Sequence, residues 1–395
     1  MNVTKVQKGS LGLLLVILIS YGVVGFPDGS FTVSWLGMEY DWSLTAVHAG
    51  YILISYAATY TLAGVVLAWL NRFMKLQTVY IYGLVVMAAG FIGLAVSPNF
   101  VVLMVFIAIY GFGTGAMASS MNSYMAKHFT ARHNNWMHCF WGGGAALSPV
   151  IMRQMMVVST WRTGYFVIVG ILLLVGVMLL ISIYKRIWIN DDTIKNKTQE
   201  KTTEEVVVKK RYLSKKWHQI VEVMTFFFLG GTDYTLVFFT GMALMYRGLS
   251  FEEVALFSTI YYAFMTGGRM FFGWVAKWIK EVPIIRIGCA IAVGGIIMLY
   301  FTSNIVGMAL TGFGLAPLLP TLVSDTSNRF SPRTISKLVG YELAAFGAGI
   351  AVLFFTTSIL LEYVSLEMLF PLGMAFIALV FLCNEILVRA TKANA

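Results

Sequence analysis

Asp28 in GFPDGS (25–30), Asp233 in GGTDYT (230–235), His138 in WMHCFWGGGA (136–145) and Glu342 in YELAAFGAG (341–349) all stand inside strongly apolar stretches. An ionised carboxylate at mid-membrane costs at least about 2.5 kcal/mol unless it faces water, a cation or a partner, so each acid is a functional candidate. Burial penalises the charged form of an acid, which suits such a group to taking up and releasing protons. Asp28 is the first choice for proton coupling, and Asp233, at comparable depth, is the second. Pro27 and Gly25 interrupt the helix beside Asp28, so its carboxylate could also satisfy the freed backbone amides, and the two roles are compatible. For Asp233 the competing role is a bond that holds two helices in register.

Neutral imidazole both donates and accepts hydrogen bonds, and histidine titrates near neutrality, so His138 fits a hydroxylated substrate or a proton-sensing step, against the alternative of a structural histidine. Glu342 is a candidate substrate or gating contact, placed roughly opposite His138 by internal symmetry. Asn122 and Asn135 offer amides to hydroxyl groups. Trp35, Trp141, Tyr234 and Tyr341 offer ring faces to the apolar side of a sugar, although aromatic residues also serve as packing or interface anchors. Arg269 and Lys277, in GRMFFGWVAKWIK (268–280), are candidate gating residues, with recognition of substrate charge the alternative for Arg269. His128 and His133 flank a basic turn and read as surface residues.

These groups need a scaffold that spans a membrane. The chain has 395 residues, 58% hydrophobic and 12% charged, against about 25% charged in ordinary soluble domains. Twelve apolar segments can be drawn, at 11–37, 44–70, 77–97, 99–126, 134–158, 163–187, 216–245, 251–277, 283–303, 304–328, 334–360 and 365–389, each long enough to cross ~30 Å of hydrocarbon. The first is too long for a signal peptide and lacks a small-residue cleavage site, so it is expected to be retained. The formal net charge is +10, and 24 of the 28 Lys and Arg fall on one side if loops alternate. Arg153, Arg162, Arg247 and Arg269 are the other four. That asymmetry follows the positive-inside rule and puts both termini in the cytoplasm, so the basic balance reports topology rather than a nucleic-acid partner. Cys139, Cys289 and Cys383 have no metal-ligand spacing and read as packing residues.

The polar stretch from Tyr184 to Trp217 divides six crossings from six, which gives bundles at 1–187 and 216–395 with a cytoplasmic linker at 188–215. An internal repeat supports the division. GFG at 111–113 recurs at 312–314, and Phe129 and Arg132 recur as Phe330 and Arg333, all at an offset of 201; GFPD (25–28) is echoed by GGTD (230–233). Related six-helix halves are the plan of secondary transporters, with a central site at the repeat interface.

The loop pattern after helix 8, GRMFFGWVAKWIK, resembles the major facilitator superfamily signature, of which WLNRFMKLQ (69–77) is a degraded copy. Over nearly the whole chain the sequence resembles the fucose and glucose permease branch of sugar:proton symporters. The resemblance rests on DGS with Trp35 downstream, on NSYMAKHFTARHNNWMHCFWGGGAALSP (122–149), on GTDY with the later RGLS, on GLAPLLPTLVS (314–324) and on YELAAFGAG. It implies an all-α membrane protein of twelve helices in two pseudo-symmetric bundles, taking up a hexose or another small polar solute with protons by alternating access. Some members carry a glutamate in helix 4 where this chain has no acid between Thr114 and Asn122, while Glu342 replaces a glutamine of helix 11.

The expected partners are a small-molecule substrate, protons and the lipid bilayer of a plasma or bacterial inner membrane, with the protein a monomer. Without a nucleotide loop, a metal cluster or a nucleophile beside a base, no cofactor, metal or enzymatic activity is expected. The competing functions are an organic-anion exchanger, suggested by WRTGYF (161–166) and Arg269, an efflux transporter of lipophilic compounds, and a membrane receptor that does not transport.

Overall fold

In lipid every backbone amide must be bonded within its own segment, so long apolar runs can settle only as helices or closed barrels. The computed structural model, which describes residues 9–70, 73–129, 131–189 and 212–394, has helices for all its spans. In the first half these are α1 (Gly9–Gly22), α2 (Phe26–Trp42), α3 (Ala46–Leu70), α4 (Leu76–Val96), α5 (Phe100–His128), α6 (Ala131–Val158) and α7 (Trp161–Tyr184). The second half has α8 (Lys216–Tyr246), α9 (Phe251–Val275), α10 (Glu281–Thr302), α11 (Ile305–Leu315), α12 (Leu318–Arg329), α13 (Pro332–Tyr363) and α14 (Leu369–Asn394). Two crossings are built from two helices each. A single 3-10 turn, Val23–Gly25, joins α1 to α2, and α11 meets α12 at Ala316–Pro317. Fourteen helices therefore make twelve crossings, six in each bundle. The linker expected at 188–215 and the basic residues Lys5, Lys8 and Arg72 fall largely outside the described residues.

Some boundaries exceed the apolar runs. The first crossing continues past Gly37 through Glu39 and Asp41 to Trp42, and stops where Ser43 takes a left-handed conformation with φ 49°. Polar residues do not end a helix once it has left the hydrocarbon; the change of backbone conformation does.

The internal repeat is a packing device. A side chain at Gly113 would collide with Gly83 and Met87 of α4, and one at Gly314 would collide with Gly288 and Ala292 of α10. Both pairs of partners are 205 residues apart, the offset that also relates Asp28 to Asp233. Each half thus brings the same two helices into backbone contact through the same glycine.

Between the bundles, α6 lies along α9 and α3 along α13, while α2 touches both α8 and α9. Ten described spans are long and apolar enough to cross a membrane by composition, and α6 and α9 are not among them. The two crossings that fall short of that measure face each other across the seam, where lipid does not select against polar side chains.

Candidate functional site

Asp28 lies in the first turn of α2, immediately after the 3-10 turn and Pro27. Proline is tolerated there because its missing N–H would have had no intrahelical partner. Free amides at a helix start favour a negative charge. Asp28 lies 17 residues beyond Leu11 and 14 before Trp42, the ends of the span, near the middle of the crossing.

From the opposite bundle, the Tyr234 hydroxyl donates to Asp28 Oδ1 at 3.3 Å. Trp141 and the charge of Asp233 both act on the same carboxyl. Tyr56, Tyr110, Tyr234, Tyr262 and Phe238 join Asp28 around a cavity of about 30 Å³. That volume holds a water molecule or two and no sugar, so the structure is closed around the site. Tyr56 and Tyr110 stack at 4.9 Å. The resulting chamber belongs to both bundles and presents phenol hydroxyls, ring faces and one carboxyl. It can bind hydroxyl groups and hold or release a proton.

Asp233 is placed differently. Its helix, α8, runs unbroken through Gly230 and Gly231. The hydroxyl of Tyr261, on α9, donates to Asp233 Oδ1, so this bond joins neighbouring helices of one bundle.

A second set of polar groups follows along α6. Asn122 Nδ2 donates to the Tyr21 hydroxyl at 3.1 Å, and the Tyr21 ring meets His138 edge-on at 5.7 Å. One turn on, the Trp141 ring carries the guanidinium of Arg269 at 5.4 Å. Tyr262 meets Trp141 edge-on at 6.4 Å, which connects this group to the chamber wall.

Arg269 lies inside the span expected at 251–277, since α9 continues to Val275 and carries Arg269 within the helix. Its Nε is buried without a partner, and it makes no ion pair with a described residue. The helix extends because the residues after Arg269, Met270 to Val275, are apolar or glycine and contain no stop signal.

Several candidates lie apart from the chamber. Glu342 is fully buried and accepts from Thr326 Oγ1 at 2.9 Å, inside the C-terminal bundle rather than opposite His138. Its helix turns that face toward α12, a rotation that sequence symmetry did not specify. Tyr341 is 61% exposed on the outside of α13, and Lys277 is exposed in the turn after α9. Trp35 is completely buried between Phe31 and Phe238, behind the chamber wall. Asn135 falls on α6, its side chain lying outside the described residues.

Sequence reasoning missed Tyr56, Tyr110 and Tyr262. Each lies 10 or 11 residues into its helix, about 15 Å from the end at 1.5 Å per residue. Aromatic anchors belong at the interface, so a tyrosine at mid-depth was the available signal. Also missed was a charged network in the C-terminal bundle. There Arg329 reaches Glu222 at 3.1 Å, Asn384 at 2.6 Å and Asp325, and Thr326 bridges Glu222 to Glu342.

The sequence profile of the Major Facilitator Superfamily matches residues 13–352. Among solved structures, a bacterial homolog to the human lysosomal transporter Spinster, inward-facing and occupied, is 13% identical, with a TM-score of 0.72 over 98% of this chain and 97% of that one. The nucleoside transporter NupG is 11% identical with a TM-score of 0.70, covering 98% and 99%. A D-xylose-proton symporter is 12% identical with a TM-score of 0.73, covering 94% and 97%. Such identities carry the fold alone. No curated protein sequence matches the chain.

Proposed function

The chain belongs to the major facilitator superfamily, and on that premise we propose that it takes up a hexose or other small hydroxylated solute together with protons, by alternating access. Both termini are assigned to the cytoplasm, and Asp28 is the proton-coupling group. The observation that carries this reading is the bond from Tyr234 to Asp28, which ties one bundle to the other at the chamber.

With Asp28 ionised, its carboxylate accepts from Tyr234, and this contact offsets part of the cost of a charge at mid-depth. Protonation removes that charge and weakens the tie. The Tyr234 hydroxyl is then available to a solute, alongside Tyr56, Tyr110 and Tyr262, whose rings can cover the apolar side of a pyranose. Because the chamber is too small for such a solute as it stands, loading requires the bundles to part. The 3-10 turn at Val23–Gly25 and the α11–α12 break are the places where a crossing can bend without losing a continuous ladder of bonds. The sequence resemblance to sugar:proton symporters agrees with this assignment, and so does the D-xylose-proton symporter among the similar structures.

Asp28→Asn keeps the shape and removes the titration. In proteoliposomes it is expected to abolish accumulation driven by a pH gradient while solute exchange or binding stays measurable. Unchanged uphill uptake by the variant overturns the role given to Asp28.

A further inference from the structure

Arg269 and Thr266 stand three residues apart on α9, on one face of the helix. Each carries a buried polar atom with no partner, Nε of the arginine and Oγ1 of the threonine. Opposite them is Gly142 of α6, where an added Cβ would run into Thr266 Oγ1. The Trp141 ring lies over the guanidinium at 5.4 Å. A guanidinium keeps its charge under all ordinary conditions. Arg269 is half-buried, and its Nε is out of water with no hydrogen-bond partner, a loss that the cation–π contact offsets only in part. Asp233 interacts with Arg269 through charge but is hydrogen-bonded to Tyr261. His138 and Cys139 also feel the arginine's charge and supply no anion.

We propose that the transported solute bears an anionic group, as a hydroxylated carboxylate of the sugar-acid type does, and that Arg269 with Thr266 holds that group at the α6–α9 seam. This rests on the transport reading above and narrows its substrate class. The planar fork of an arginine matches a carboxylate better than it matches a hydroxyl. The threonine hydroxyl adds a donor one turn away, and it stands against Gly142, where no larger residue would fit. Tyr262 lines the chamber and touches Trp141, so one molecule can place its hydroxyls at Asp28 and Tyr234 and its carboxylate at the seam. Symport of one such anion with one proton moves no net charge.

The test uses the full chain in detergent at fixed pH, with D-gluconate, D-glucuronate and D-glucose as probes and thermal stabilisation as the binding readout. Gluconate or glucuronate is expected to bind more tightly than glucose. Arg269→Gln should weaken the anion by roughly ten- to a hundredfold with little change for glucose, and Arg269→Lys should restore part of the loss. Equal binding of glucose and the two acids overturns the proposal, as does undiminished acid binding in Arg269→Gln. Recovery of acid binding in the double variant Arg269→Gln/Asp233→Asn also overturns it, because the arginine would then serve as an internal partner of Asp233. Binding without a gradient tests only the anion subsite. Failure of the transport reading would show separately, as binding that persists in proteoliposomes with no gradient-driven uptake.

Discussion

Glu222, Asp325, Arg329, Glu342 and Asn384 meet in the C-terminal bundle, drawn from four helices and almost wholly buried. At the repeat offset of 201, Asp325, Arg329 and Glu342 correspond to Tyr124, His128 and Trp141 of the N-terminal bundle. Among the described residues of that bundle, Tyr80 bonds to Ser20 at 3.1 Å, Ser34 to Tyr165 at 2.6 Å and Asn122 to Tyr21 at 3.1 Å, contacts between uncharged groups. One helix plan therefore carries two kinds of internal bonding. Charged groups out of water are expensive to separate, so the C-terminal network holds α8, α12, α13 and α14 as a unit. Hydroxyl and amide contacts can be exchanged at small cost. The broken first crossing, with Asp28 at its break, belongs to the bundle with the exchangeable contacts. Asp233, in a continuous helix, belongs to the bundle with the fixed ones.

This contrast can be broken by mutation. The largest effect is expected from Arg329→Met, which leaves Glu222 and Asp325 without their cation and should cost about 3–5 kcal/mol of stability, measured by thermal or denaturant unfolding in detergent. A loss below that of an ordinary hydrogen bond would mean that the charged network does not hold the bundle together. In the other half, Tyr80→Phe removes a neutral contact and is expected to cost about 0.6 kcal/mol and no more than ~1.7 in the same assay. A cost equal to that of Arg329→Met would erase the distinction between the bundles. The smallest effect belongs to the seam itself. Arg153 of α6 pairs with Glu252 of α9 at 3.0 Å, with the glutamate 60% exposed. Arg153→Gln is expected to change stability by about 0.2–1 kcal/mol, less at high salt, and a salt-insensitive loss above that range would show that the pair is shielded from solvent.

The site was partly legible. Asp28, Tyr234, Trp141, Asn122 and His138 could all be selected from residue type and depth, because polar groups in apolar segments are few. That Asp28 bonds to Tyr234, 206 positions away, could not be read, since it depends on how the two bundles dock. Glu342 looked equivalent to the central residues, yet it accepts from Thr326 because its side of α13 faces α12. Arg269 was expected within its helix, but that the Trp141 ring would lie over its guanidinium could not be read. The chamber tyrosines were hidden among 19 tyrosines and 10 tryptophans, most of which suit interfaces or packing equally well.

By itself, the sequence determined the twelve crossings, their division into related halves and the depth of the unusual acids. Those follow from length and composition, since lipid requires each segment to bond its own backbone. Tertiary structure decided which side chains meet. Each residue along a helix turns its side chain by about 100°, so a small rotation or shift at the seam exchanges one partner for another. That is why Asp28 acquired a partner in the other bundle, Asp233 one in its own, and Arg269 the ring of Trp141 but no ion pair among the described residues.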